Sequence, residues 1–191
     1  MKNMTLAALA VMTCAAAWAG EDEDKARGIL EAQQKAVVTV QLVVKEKMSG
    51  MGFGAQDNES KMEITGTTID ADGLTVVALS DTDRTAMMAN FMPDDMEGHF
   101  KVESSISDVK ILQEDGSEIE SGVVLRDKDL DLAFVRPKQK PAAAMPFVDL
   151  KASVPTKLLD RVVAINRLGK VANRAASASL EYIEAVVNKP R

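Results

Sequence analysis

The chain has 191 residues, a formal net charge of −6 and a single cysteine. This length allows one domain with a substantial core, or two small domains. The acidic balance and the lack of a basic cluster exclude an obvious nucleic-acid-binding surface, so we expect no nucleic-acid partner.

Residues 1–19 have the pattern of a secretory signal peptide. A short basic start precedes an apolar run too short to span a bilayer, and Ala17-Trp18-Ala19 forms a small-x-small cleavage site. Cleavage would remove Cys14, leaving a chain without disulfides, as suits a bacterial periplasm. A lipoprotein anchored through Cys14 is the less favoured alternative. We therefore predict an exported protein, periplasmic or extracellular, without a membrane span after cleavage.

The next 42 residues combine a lead segment, a strand and a loop. Residues 20–35 could be helical, because apolar side chains fall on one side, although Gly28 weakens that prediction. Residues 36–44, AVVTVQLVV, are β-branched and apolar, which predicts a well-buried strand. Residues 45–61 are rich in glycine and polar residues and predict an exposed loop. Their MSGMGFG run lacks the Lys-Ser/Thr of a phosphate-binding loop, and we expect no cofactor.

The rest of the chain predicts short strands separated by turns. MEITGTTIDADGLTVVALS, residues 62–80, indicates a hairpin around a tight Asp-Ala-Asp-Gly turn. Residues 81–104 are irregular. Further strands are predicted at 108–113, 117–126, 130–136 and 161–166, with a proline-marked linker at 137–146. The C-terminal stretch fits either a helix or a strand. This pattern is typical of an all-β barrel or sandwich.

Three segments carry a further pattern: GTTIDADGLTVVALS, VKILQEDGSEIESGVVLRDKDLDLAFVRP and LLDRVVAINRLG. Their I-D-x-D-G turn, their D-x-x-x-D-[IL]-A segment and their order resemble the trypsin-like serine peptidases of the HtrA/Deg group. The resemblance runs from about Ala36 to the end of the sequence. It implies a first trypsin-like β-barrel over 36–140, then a linker and an incomplete second barrel over 141–191. It also implies that Asp131 is the acid of the catalytic triad, which orients the histidine.

The sequence departs from that family at two points. Counting from Asp72-Gly73, the histidine position falls on Ser80, whose hydroxyl cannot act as a general base near neutral pH. The nucleophile motif G-x-S-G-G does not occur, and Ser177 and Ser179 lack the glycines of an oxyanion hole. We therefore predict a proteolytically inactive protein that acts by binding or scaffolding, or a fragment of a longer peptidase-like protein. A polypeptide or a protein partner would cover the unfinished second barrel.

Three alternatives remain at this point. Without the resemblance, Asp131 would be interpreted as a half-exposed acid at the edge of a barrel. An active HtrA-like serine endopeptidase in a full-length form would need a substitute base, and His99 is more simply a surface residue. A periplasmic copper-binding protein is the third alternative, because Met88, Met92, Met96 and His99 offer soft ligands at near-helical spacing. Methionine is more often a flexible gap-filler in a core.

Overall fold

The computed structural model describes residues 20–50, 53–82 and 100–187, apart from the side chains of 48–57 and 100–103. The predicted signal peptide, His99 and the methionines at 88, 92 and 96 lie outside the described residues. Before the first strand, an α-helix, α1, spans Glu21–Gln33. None of the helices in the described ranges is long and apolar enough to cross a membrane.

Six antiparallel strands form a closed barrel. The strands are β1 (Val37–Gly50), β2 (Phe53–Thr68), β3 (Thr75–Ala78), β4 (Phe100–Leu112), β5 (Glu118–Asp127) and β6 (Leu132–Pro137). Around the barrel they follow the order β1-β2-β3-β6-β5-β4. Because β1, β2 and β3 are consecutive neighbours and β4 returns beside β1, these four strands make a Greek key. The prediction of an all-β barrel is confirmed.

The core is built on the alternation of β1. Val38, Val40, Leu42 and Val44 are each at most 4 % exposed and point into the barrel, where they meet the inward residues of the other strands. The opposite face of β1 is also covered near its start, since Val37, Thr39 and Val43 are buried. The predicted well-buried strand is therefore confirmed, and its continuous apolar run reflects burial on both faces.

Two glycines allow close packing at one end of the barrel. A Cβ atom on Gly66 would lie 2.7 Å from a methyl carbon of Thr75 and 2.9 Å from one of Val40, so the barrel interior has no room for it. Gly73 closes the β2–β3 turn with a φ of 88°, a conformation that costs glycine little. A side chain there would also collide with Met145 and Pro137.

The proline-marked segment after β6 does more than connect two parts of the chain. Its Met145 is 3 % exposed and joins the barrel core. The Met145 N–H donates to the carbonyl of Ala71 at 3.0 Å, and the Val148 N–H donates to the carbonyl of Thr68 at 2.9 Å. The segment therefore closes the barrel beside the β2–β3 turn, although its composition indicated only a linker.

The structure contradicts three local predictions. The irregular stretch expected at 81–104 is wrong at its end, because β4 already begins at Phe100 and pairs there with β1. The exposed loop expected at 45–61 is wrong, because β1 and β2 continue as a ladder from Lys45 paired with Glu59 to Gly50 paired with Phe53. β1 also pairs with β4 along this stretch, so hydrogen bonds on both sides override the poor strand propensity of the sequence. The strand expected at 130–136 begins two residues later, at Leu132, which places Asp131 in the preceding turn.

Beyond the barrel lies a two-stranded antiparallel sheet of β7 (Arg161–Arg167) and β8 (Ala176–Tyr182). The C-terminal stretch that fitted either a helix or a strand forms a strand over Ala176–Tyr182. Neither β7 nor β8 contains a fully buried residue. An isolated two-stranded hairpin is marginally stable in water, so this sheet depends on its contacts with the rest of the chain.

One arginine makes the main polar connection between this sheet and the barrel. Arg167 Nε donates to the carbonyl of Val37 at 2.7 Å, and its Nη2 donates to the carbonyl of Gln34 at 2.6 Å. The Arg167 N–H also donates to Thr65 Oγ1 on β2 at 3.2 Å. These bonds tie the C-terminal end of β7 to the beginning of β1 and to β2.

Candidate functional site

The barrel order places the candidate acid beside the position expected for the histidine. β3 pairs with β6, and Ala78 lies opposite Leu132 at the ends of the two strands. The chain leaving β3 therefore passes the turn that enters β6. Residues more than fifty positions apart in sequence, Ser80 and Asp131, become neighbours by this pairing.

Three hydrogen bonds join the two segments. The Ser80 hydroxyl donates to Asp131 Oδ2 at 2.7 Å, and the Ser80 N–H donates to Asp131 Oδ1 at 2.9 Å. The Leu79 N–H donates to the Asp131 carbonyl, also at 2.9 Å. Both carboxylate oxygens thus accept a bond from Ser80. Asp131 is a solvent-exposed acid that holds a specific partner.

Local sequence explains how each side of this pair is positioned. Asp131 has a φ of 55°, in the left-handed region that aspartate tolerates better than most residues. The turn before it is held by Asp127 Oδ1, which accepts bonds from the N–H groups of Asp129 and Leu130 at 3.0 and 3.1 Å. On the other side, a short 3₁₀-helix spans Ser80–Thr82.

That helix is fixed by its last residue. Thr82 is 2 % exposed, and both its N–H and its hydroxyl donate to the carbonyl of Leu79, at 2.9 and 2.7 Å. A buried threonine and an acid in the neighbouring turn therefore constrain Ser80 from both sides. The pair is an ordered arrangement within the fold.

The chemistry available to this pair is limited. An ionised carboxylate is a hydrogen-bond acceptor only. It is a weaker base than the imidazole that normally takes the proton from a nucleophilic serine. Nucleophilic serine in hydrolases depends on an adjacent general base such as histidine. Among the described residues there is no histidine, because the single histidine of the chain is His99. The described part of the site therefore consists of a serine–carboxylate hydrogen bond without a histidine beside it.

The other residues considered from the sequence are not brought to this pair. Ser177 and Ser179 lie on β8, and the Ser179 hydroxyl donates to Glu181 on the same strand at 2.6 Å. The copper ligands suggested by the alternative lie outside the described residues. Within 20–50, 53–82 and 100–187, no three or more His, Cys, Asp or Glu side chains are grouped as metal ligands would be.

A second polar cluster was missed by sequence reasoning. Arg174 and Glu63 form a bidentate pair, with Nη2 to Oε1 at 2.6 Å and Nε to Oε2 at 3.1 Å. These hydrogen bonds lower the pKa of Glu63 and raise the pKa of Arg174. The pair lies near a cleft of about 310 Å³ between the barrel and the β7–β8 sheet, whose lining includes Arg167 and Arg174. No motif could have indicated a contact between residues 111 positions apart.

Comparisons of the sequence with models of protein families and with curated proteins found no match.

Proposed function

We propose that this protein is an exported, trypsin-like serine-peptidase-fold protein that does not hydrolyse peptides and acts by binding polypeptide. The observation that carries the proposal is the contact between Ser80 and Asp131. The resemblance assigns Asp131 to the triad acid and Ser80 to the histidine position. In the structure those two residues are hydrogen-bonded, through both carboxylate oxygens.

The arrangement supports binding over hydrolysis for a chemical reason. In a serine peptidase the acid orients an imidazole, and the imidazole takes the proton from the nucleophile. Here the acid orients a hydroxyl, which has no basic lone pair of comparable strength. The closed six-stranded barrel and the order of the motifs also fit the expected first barrel of that family.

Proteolysis provides the first test. Fluorescently labelled, unfolded casein would be incubated with the full chain and with Asp131→Asn, which keeps the size of the side chain. We expect no cleavage above buffer for either protein, measured by release of labelled peptides. Cleavage by the wild-type chain that disappears in Asp131→Asn would overturn the proposal in favour of an active peptidase.

Binding is tested separately, because an inactive chain need not bind anything. The fluorescence anisotropy of labelled, unfolded casein should rise as the chain is added. A labelled folded protein of similar charge, used in place of the casein, should show no rise. An unchanged anisotropy with unfolded casein at the highest chain concentration would contradict the binding role while leaving the loss of hydrolysis standing.

A further inference from the structure

The outer edge of β8 is a row of backbone groups without partners in the described chain. The Leu168 N–H donates to the Ala175 carbonyl, and the Ile183 N–H donates to the Asp160 carbonyl, just beyond the two ends of the ladder. Hydrogen-bonded and non-bonded pairs alternate in an antiparallel ladder. In β8 the residues bonded to β7 are therefore Ser177, Ser179 and Glu181.

The intervening residues of β8 direct their N–H and C=O groups away from β7. These residues are Ala176, Ala178, Leu180 and Tyr182, and within the described residues their backbone N–H and C=O groups form no hydrogen bond with another segment. The corresponding edge of β7 is different, because the Arg167 N–H there donates to Thr65 Oγ1. Only the β8 edge of this sheet is thus free along the whole strand in the described structure.

This edge lacks the usual protection against strand addition. Proteins commonly guard an edge strand with proline, lysine or a bulge. β8 reads ASASLEY, contains neither proline nor lysine, and pairs with β7 in an unbroken register over seven residues. Leu180 and Tyr182 are 37 % and 53 % exposed on one face of the strand.

We propose that the β8 edge pairs with the β8 edge of a second copy of this chain, antiparallel, with Ser179 on the two-fold axis. This register pairs all seven residues and joins the outward groups of one strand to those of the other. Ala178 then faces Leu180, Ala176 faces Tyr182, and Ser177 faces Glu181. Two copies related by a two-fold axis present the same edge to each other, which closes the assembly as a dimer.

Side-chain charge favours a second copy as the occupant of this edge. Like charges directly opposite one another destabilise a sheet, whereas opposed hydroxyl groups, or small residues beside aromatic ones, are compatible. In the proposed register the sole charged side chain of β8, Glu181, meets a serine hydroxyl. The strand is therefore complementary to itself, and the dimer does not depend on the function proposed above.

Site-specific crosslinking tests the register. In the full chain with Cys14→Ser, Ser179→Cys would place two thiols opposite each other at a non-bonded pair, where Cα atoms lie about 4.5 Å apart. Ser177→Cys on the same face of the strand is the matched control, because its two copies would lie more than about 10 Å apart. We expect mild oxidation to give a disulfide-linked dimer with Ser179→Cys and not with Ser177→Cys.

A charge change tests the same register without cysteine. Ser177→Glu places two carboxylates opposite one another at both ends of the paired strands, and Ser177→Lys places a lysine opposite Glu181. By light scattering after size exclusion, we expect the dissociation constant to rise roughly tenfold for Ser177→Glu and to fall for Ser177→Lys. The proposal would be overturned if the wild-type chain were monomeric and Ser179→Cys gave no crosslink, or if both cysteine variants crosslinked equally. It would also be overturned if the chain stayed monomeric and its β8 amides were protected from hydrogen exchange only when an extended peptide was added.

Discussion

At the scale of single residues, the backbone and the side chain of Asp131 have separate effects on stability. The backbone occupies the left-handed region, which costs most residues about 1 kcal/mol or more. The carboxylate accepts two bonds from Ser80. Comparison of substitutions that keep one property and remove the other can therefore separate the two contributions.

We expect Asp131→Ala to lower the free energy of unfolding by about 2 kcal/mol, because it strains the turn and removes both bonds. Asp131→Gly should lower it by about 1 kcal/mol, since glycine adopts this conformation freely. Asp131→Asn should change it least, because its amide oxygen still accepts from Ser80. Urea unfolding followed by far-ultraviolet circular dichroism measures all three variants.

The control for this series is Asp129→Ala, which removes a neighbouring exposed acid from the same turn. Its N–H bond to Asp127 belongs to the backbone and survives the substitution. Equal destabilisation by Asp131→Ala, Asp131→Gly and Asp131→Asn would contradict the separate contributions of backbone conformation and side-chain hydrogen bonds to the free energy of unfolding.

The resemblance to the peptidase family singled out Asp131, through the D-x-x-x-D-[IL]-A segment, and Ser80, by counting from Asp72-Gly73. The hydrogen bonds between them depend on the pairing of β3 with β6. Period-two alternation also continued through Asp131, so the pattern did not reveal that the strand begins at Leu132. Turn residues with positive φ leave little trace in a hydrophobic pattern when the residue is aspartate. The sequence thus indicated the participants in the candidate site, and the structure supplied the contact.

At the scale of elements, the β1–β2 hairpin forms where the local strand propensity of the sequence is low and the pairing with neighbouring strands decides the structure. Residues 45–50 and 53–61 contain several weak strand formers, yet they lie in a ladder because β1 is paired on both sides. Pairing across a sheet is a tertiary effect that local composition does not encode. The same reasoning applies to Met145, which a proline-rich neighbourhood concealed as a core residue.

The Glu63–Arg174 ion pair joins β2 to the loop before β8, and it should make the free energy of unfolding depend on pH in the acid range. Because Arg174 lowers the pKa of Glu63, this contact stabilises the folded state fully above the ordinary glutamate pKa of about 4.3. The stabilisation is lost as the pH falls through the lowered pKa, since the folded state must then take up a proton. With both side chains partly shielded, we expect about 1 kcal/mol.

Glu63→Gln tests this expectation. Between pH 7 and pH 3 the wild-type chain should lose about 1 kcal/mol more stability than the variant, by urea unfolding at each pH. Glu59→Gln is the matched control on the same strand, because its pair with Lys45 is longer, at 3.6 Å, and more exposed. A pH profile of Glu63→Gln that coincides with that of the wild-type chain would rule out the proposed linkage.

At the scale of the whole molecule, the barrel and the β7–β8 sheet differ in what stabilises them. The barrel has a contiguous core of buried aliphatic side chains. The sheet has none in the described structure, so its stability depends on polar anchors, chiefly Arg167, and on packing against α1 and β1. A free energy of local opening smaller than that of global unfolding is expected for such an element.

Replacement of Arg167 by methionine should therefore release the sheet and leave the barrel closed. Methionine keeps much of the aliphatic length of arginine. It cannot replace the charge-assisted hydrogen bonds that the Arg167 guanidinium donates to the carbonyls of Val37 and Gln34. We expect hydrogen exchange of the β7–β8 amides to become roughly tenfold to a hundredfold faster, with the amides of β1 unchanged.

Arg161→Met, at the exposed end of the same strand, is the control and should change exchange much less, since its pair with Asp22 is open to solvent. Equal acceleration in β1 and in β7 would show instead that the barrel and the sheet unfold as one cooperative unit.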